Sequence, residues 1–394
     1  MPKIESHDQR KPTDILLIAG ILLIAINLRP ALASVGPLVE DIRQATGLSS
    51  TLLGLLTTLP LMAFCVISTL TPLFTRRFGI GGTLLGAMAL LTLGITIRSI
   101  DWVPALYLGT LLLGIAIAFG NVLLPGLTKR NFASNSGFIT SLYSSTMAIG
   151  AALAAGVSIP LAYNLDLGWR GSLGIWAIPA LIAFFIWIPQ LSRLKKSRSN
   201  RSYVDAMRKL SGSRLAWQVA LFMGFQSFTF YIILAWLPAI LQSRGYDASF
   251  SGWMLSLSQA TGILGSLVVP IFAGKRKDQR GIVWFLSALE ILGLIGLLLP
   301  QLGWVEIWVT FIGFILGGTF GLSLLFIVQH SQDAESATEL SGMAQSIGYF
   351  VAATGPIIFG SIFDLTANWE YPFILLFAAA IFKLISGLGA GKPT

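Results

Sequence analysis

Apolar residues in this chain run together for about twenty positions at a time, separated by short polar or basic turns. A bilayer core about 30 Å thick takes roughly 20 residues of helix, and lipid offers the backbone no hydrogen bonds, so each run is predicted to be a helix that satisfies its own amides. Twelve such runs are read: 15–36, 50–74, 80–99, 103–124, 137–163, 171–189, 215–241, 250–273, 281–300, 304–329, 340–363 and 371–389. They predict an all-α integral membrane protein. The first run is not followed by a small-residue cleavage pattern and is read as a retained helix, not a signal peptide.

Composition agrees. The sequence is 55% hydrophobic and 11% charged, with a mean hydropathy of +0.78. That is more apolar surface than one soluble core of this length needs, so the surplus faces lipid. Cys65 is the only cysteine and sits in the second run, which leaves no intrachain disulfide and no cysteine-rich metal site.

The net charge of +9 would suit nucleic acid if it were gathered on one exposed face, but its distribution follows the runs. With the N-terminus inside, twenty of the 26 basic residues fall on the cytoplasmic side, from Lys3, Arg10 and Lys11 through Arg76, Arg77, Lys129, Arg130 and Arg193–Arg214 to Lys275, Arg276, Lys277, Arg280 and Lys392. Only Arg43, Arg98, Arg170 and Arg244 fall outside, and Arg29 and Lys383 lie within runs. This is the positive-inside bias of a bacterial inner (plasma) membrane protein with both termini cytoplasmic, and nucleic acid is not an expected partner.

The longest polar stretch, 192–214, separates six runs from six and predicts an N-terminal bundle (1–191), a cytoplasmic linker and a C-terminal bundle (215–394). The linker's basic residues suit contact with anionic lipid headgroups. An internal repeat supports the division. At an offset of 201, Pro37 meets Pro238, Arg76 meets Lys277 and Gly120 meets Gly321; at 205, Ser136, Gly137 and Gly150 meet Ser341, Gly342 and Gly355. Gly313, Gly317 and Gly321 form a small-residue stripe in the tenth run, and Gly150 with Ala154 a weaker one in the fifth, both read as sites of close helix packing.

Six plus six helices with a basic central loop resemble the major facilitator superfamily. Asn27-Leu28-Arg29-Pro30 followed by Ser34-Val35-Gly36-Pro37-Leu38 resembles its bacterial cyanate permease family. Leu56 to Leu61, Gly120 to Leu127, Trp236 to Leu241, Lys277 to Gly281 and Leu340 to Ser346 are closer to that family's 2-nitroimidazole exporter branch. The resemblance implies alternating access about a central site, no cofactor, and a monomer. One departure stands out: the loop Pro72 to Gly79 lacks the acid that the superfamily carries before its arginine, whereas the second-half loop keeps Asp278 and Arg280. The first-half loop is therefore expected to lack the charge latch of that motif.

Ionisable groups inside a membrane cost about 2.5 to 3.5 kcal/mol each on insertion scales, which singles out Arg29, Glu290 and Lys383. Arg29 stands about 21 Å along its helix at about 1.5 Å per residue, and Pro30 leaves the carbonyl of Ile26 without its donor. A guanidinium there can fork two hydrogen bonds onto a small planar anion or nitro group; a structural partner for it is the other reading. At the 201 offset its counterpart is Phe230, beside Tyr231, which predicts a cation on one wall and aromatics on the other.

Glu290 and Lys383 reach matching depth in the ninth and twelfth runs and are read as a structural ion pair, with a proton relay through Glu290 as the minority reading. The interiors of the first, fourth, seventh and tenth runs hold no carboxylate. Asn27, Asn121, Tyr143, Gln226, Tyr231, Gln259, Gln345 and Tyr349 complete the candidate substrate-binding set, each also explicable as a helix-to-helix hydrogen bond. His330 is read as a surface residue. There is no phosphate-cradling glycine loop with lysine, no paired-histidine metal motif and no nucleophile elbow, so an enzyme is not expected.

These observations lead to a secondary transporter moving a small planar polar solute. Nitroimidazole-like export leads, cyanate-like small-anion uptake is the alternative, and a non-transporting membrane receptor or scaffold is a distant third.

Overall fold

A computed structural model of the protein describes residues 12–48, 50–192, 194 and 202–393. Its described residues form ten helical stretches long and apolar enough to cross a membrane. Two of them are hairpins of two passes, which makes twelve passes, and no strand is present among the described residues. Helix 1 is Pro12–Asn27, resumed after a break as Pro30–Ala33. Helices 2 and 3 share the stretch Ser50–Arg98 and are joined at Gly79. Helices 4 and 5 are Val103–Phe132 and Ser136–Tyr163. Helix 6 comprises Gly168–Gly174 and Ala177–Trp187. Helices 7 to 12 are Arg214–Ser243, Ala248–Gly274, Arg280–Leu298, Val305–Gln329, Ala334–Thr366 and Glu370–Ala390. A surface helix, Val39–Thr46, and a linker helix, Tyr203–Ser211, lie outside the twelve.

Each predicted run thus has a helix, and local chemistry sets the boundaries. Gly79 has φ 72° and ψ 168°, a conformation open essentially to glycine alone, and it turns helix 2 into helix 3 without a loop. Side chains of Ser213, Asp247 and Asp333 accept from the first-turn amides of helices 7, 8 and 11, satisfying groups that a helix start leaves open. The fourth run was expected to end at 124, but Pro125 is carried inside helix 4, which continues to Phe132.

Close packing occurs where small residues predict it. On helix 10, a Cβ at Gly313, Gly317 or Gly321 would run into Ser258, Gly262 or Pro270 of helix 8, so the two backbones touch. On helix 5, a Cβ at Gly150 would meet Ile26 O at 2.5 Å. That carbonyl is the one Pro30 leaves free, and only a glycine lets helix 5 cover it.

One placement differs from expectation, and another residue gains a role the sequence did not show. Arg98, at the end of helix 3, is only 1% exposed. It donates to Ala31 O at 2.5 Å and Leu173 O at 3.4 Å, tying the end of helix 3 to helices 1 and 6 because the broken helix 1 supplies a free carbonyl. His330, expected at the surface, is half-buried at the end of helix 10, with Nε2 2.5 Å from Ala390 O and Nδ1 shielded without a partner among the described residues. Of the linker's basic cluster, Arg193, Lys195, Lys196, Arg198 and Arg201 lie outside the described residues, as do Lys3, Arg10 and Lys11.

Candidate functional site: a cavity between the two helix bundles

Helices 1 and 5 from the first bundle and helices 7, 8, 10 and 11 from the second enclose a cavity of about 80 Å³. A single water needs roughly 10–15 Å³ on the same kind of measure, so the space exceeds one water several-fold. The break in helix 1 creates its chemistry. Arg29 flanks Pro30 with φ −118°, which turns its side chain out of the regular helix and into the cavity. Its guanidinium carbon lies 5.1 Å from the centre of the Phe320 ring on helix 10, a cation–π distance. Among the described residues, Arg29 is the only charged group lining the cavity and no carboxylate lines it.

The facing wall is aromatic and amide. Phe230 and Tyr231 meet edge to face at 5.3 Å, and both line the cavity, as do Gln226 and Gln259. Gln226 Nε2 donates to Leu316 O at 3.3 Å while its Oε1 accepts from Ser227 Oγ at 2.9 Å, so its orientation is fixed from both ends. Tyr349 lines the cavity from helix 11, its ring 4.8 Å from that of Phe64.

Behind Tyr349 lies a polar cluster that crosses between the bundles. Gln345 Nε2 donates to Asn121 O at 2.7 Å, and Asn121 Nδ2 donates to Tyr349 OH at 3.4 Å. Asn121 Oδ1 and Gln345 Oε1 are buried without a protein partner among the described residues. Five of the nine candidate binding residues therefore line the cavity: Arg29, Gln226, Tyr231, Gln259 and Tyr349. Asn121 and Gln345 stand one shell behind it. Asn27 points elsewhere, donating to Leu23 O at 2.7 Å and Pro179 O at 3.3 Å, where it joins helix 1 to helix 6. Tyr143, on helix 5, is buried and does not line the cavity.

Below the cavity, toward the face carrying Arg76, Lys129 and Lys275, the bundles close on each other twice. On helix 5, Ser141 Oγ donates to Leu267 O of helix 8, and a Cβ at Gly137 would strike Pro270 O. On helix 11, Ser346 Oγ donates to Cys65 O of helix 2, and a Cβ at Gly342 would meet Ser68 O at 2.5 Å. Ser144 and Ser145 extend the first seam to Ser266. At the far ends of the same helices Gly54, Gly156 and Gly252 have open space beside them.

The charge latch that the first-half loop was expected to lack is supplied across the seam. Arg76 lies 3.1 Å from Glu339 and 3.6 Å from Glu335, both at the start of helix 11. The missing loop acid is replaced by acids of the other bundle, and spacing within the loop could not reveal it. In the second-half loop Asp278 and Arg280 pair at 2.6 Å, and hydrogen bonds from Arg280 hold the Asp278 carboxyl down at about 2.

Far from the cavity, Lys383 Nζ lies 2.6 Å from Glu290 Oε1, and both residues are fully buried between helices 9 and 12. Sequence reasoning missed Phe320, Ser144, Ser227 and Ser258 as lining residues. Phe320 lies one residue before the glycine stripe's Gly321, and that adjacency was the available signal.

Residues 16–356 match the model of the Major Facilitator Superfamily. The uncharacterized transporter YycB of Bacillus subtilis is 43% identical over 95% of this chain and 93% of its own length. A 2-nitroimidazole transporter of Escherichia coli is 41% identical over 96% of each chain, and the cyanate transport protein CynX of Escherichia coli is 28% identical over 90% of this chain and 91% of its own. Among solved structures, FucP in its outward conformation has a TM-score of 0.75 at 13% identity, covering 96% of this chain and 99% of that one.

Proposed function

We propose that this chain, which belongs to the major facilitator superfamily, carries a small planar polar solute outward across the plasma membrane, with nitroimidazole-like compounds as the leading class. The chain is a multi-pass membrane transporter and not an enzyme. The carrying observation for the substrate class is the pairing of Arg29 with Phe320 in a cavity free of lining carboxylates. Such a site recognises an acceptor group by the guanidinium fork and a flat π body by the rings beside it. The 41% identity to the Escherichia coli 2-nitroimidazole transporter supports this reading.

A cyanate-like small anion is the second reading, favoured by Arg29 having no lining carboxylate beside it among the described residues and by the small volume of the cavity. In either case the bundles 1–191 and 215–394 rock about the cavity, joined by the linker 192–214. With the basic face cytoplasmic, both termini are inside and the closed seams correspond to an outward-facing state.

The test uses ligand-induced thermal stabilisation of purified protein with 2-nitroimidazole, cyanate and nitrate. Arg29→Ala should abolish stabilisation by the recognised ligand while leaving the ligand-free melting temperature largely intact. Arg29→Lys should rescue only partly, because a point charge replaces a planar fork. Unchanged affinity in Arg29→Ala would sink the binding role of that residue. Flux into proteoliposomes then separates the two solute classes and distinguishes transport from mere binding.

A further inference from the structure

On the basic face a second pocket, of about 360 Å³, opens where the two bundles meet. Lys129 from the end of helix 4, Ser134 from the turn after it and Ser136 at the start of helix 5 form one wall; Lys275, Arg276 and Lys277 after helix 8 form the other. Lys392 closes a third side, and the lining contains no carboxylate among the described residues. The neighbouring pocket on this face differs, since Asp278 there answers Arg280.

Five cations around one depression repel each other, and a protein surface with free choice would intersperse acids. Lys275, Arg276, Lys277 and Lys392 are exposed, and among the described residues none makes an ion pair. Lys129 is partly buried, with Asp333 at the start of helix 11 near enough to act on its charge. Ser134, Ser136 and Gln329 add uncharged donors to the same rim.

We propose that this pocket binds a multiply charged phosphate group, presented by an anionic lipid headgroup or free in solution, and that the bound anion holds the two bundles closed on the basic face. The cations supply charge-assisted hydrogen bonds from several directions, which suits a tetrahedral group with more than one charged oxygen. Pockets of this kind between helices on the cytoplasmic side are where phosphate headgroups settle. One wall belongs to each bundle, and Gly137 packs on Gly274 directly beside the pocket. The site is therefore assembled only while the seam is shut, and its ligand shifts the population toward that state. This is independent of which solute the central cavity takes.

The test compares wild type with Lys275→Gln/Lys277→Gln, with Lys129→Gln, and with Arg208→Gln/Lys209→Gln on the linker helix as a charge-matched control. Melting is followed with inorganic pyrophosphate in detergent, against chloride of equal ionic strength. It is also followed in phosphatidylcholine nanodiscs with and without cardiolipin. Stabilisation of wild type and control, with affinity weakened about tenfold in both pocket variants, supports the site; tenfold is about the value of one charge-assisted hydrogen bond. A response to cardiolipin alone assigns the pocket to lipid, and to pyrophosphate alone assigns it to a soluble anion. Equal stabilisation of all four proteins, or of none, overturns the proposal. For the closing effect, Ser266→Cys in a Cys65→Ser background places a thiol in the seam. Its alkylation should slow several-fold when the probe is present, and an unchanged rate rejects the coupling.

Discussion

The pair Glu290–Lys383 offers a quantitative test of how this membrane domain is held together. The two groups meet at 2.6 Å with both side chains about 1% exposed, and Glu290 Oε2 has no partner among the described residues. A single short bond therefore joins helices 9 and 12 across an apolar surround. Removing one partner of such a pair typically costs about 3–5 kcal/mol.

In Lys383→Met a carboxylate, and in Glu290→Gln an ammonium, is left in an apolar surround without its one partner, so each single variant should lose stability on that scale. Glu290→Gln/Lys383→Met leaves no charge to strand and should be milder than either single change. Melting of the four proteins side by side reads the pattern. A double variant as unstable as the worse single one would refute the reasoning. Flux per folded molecule should survive in Glu290→Gln; a stable variant without flux would make Glu290 a proton carrier.

Three further outcomes are expected. Gly150→Val should lower the melting temperature, at a cost of about 1–3 kcal/mol, because its side chain must displace helix 1 at Ile26; an unchanged melting point would mean that helices 1 and 5 are not locked there. Arg76→Gln should loosen the closed face by about 1 kcal/mol, allowing for the partial exposure of Arg76. Alkylation of a Ser266→Cys reporter should then rise ~5-fold, and no rise would remove the latch. Reporter fusions after Lys392 and near Arg201 should both read cytoplasmic, and a periplasmic signal at either position would overturn the orientation.

Much of the architecture was legible because lipid leaves the chain few options. A run of twenty apolar residues can only be a helix, so all twelve passes could be counted from the sequence. What could not be read were features decided by a neighbour. Pro125 reads as a helix end, yet it is accommodated inside helix 4. The burial of Arg98 could not be read, because nothing local shows that the break at Arg29 and Pro30 frees a carbonyl 67 positions earlier in sequence. Within the cavity, Arg29 was identifiable by cost: an intramembrane charge demands a reason. Polar uncharged residues carry a weaker signal, and Asn27 spends its amide on helix 6.

The repeat, seen first as scattered matched residues, gains physical content in the seams. Gly137 and Ser141 stand four residues apart on helix 5, and Gly342 and Ser346, 205 positions later, stand the same way on helix 11. Each pair lays a glycine against one carbonyl and a serine hydroxyl on another, on helices 8 and 2 respectively. The receiving carbonyls, Leu267 and Cys65, are themselves 202 positions apart. A glycine permits the backbones to touch and a serine one turn on adds a bond that costs little to break, since the hydroxyl can return to a carbonyl of its own helix. Two matched seams below the cavity are thus held by bonds that cost little to break. The cavity above them shares none of this symmetry, because Arg29 faces Phe230 at the equivalent register. Duplication thus accounts for the matched seams, and the difference between one arginine and one phenylalanine makes the cavity asymmetric.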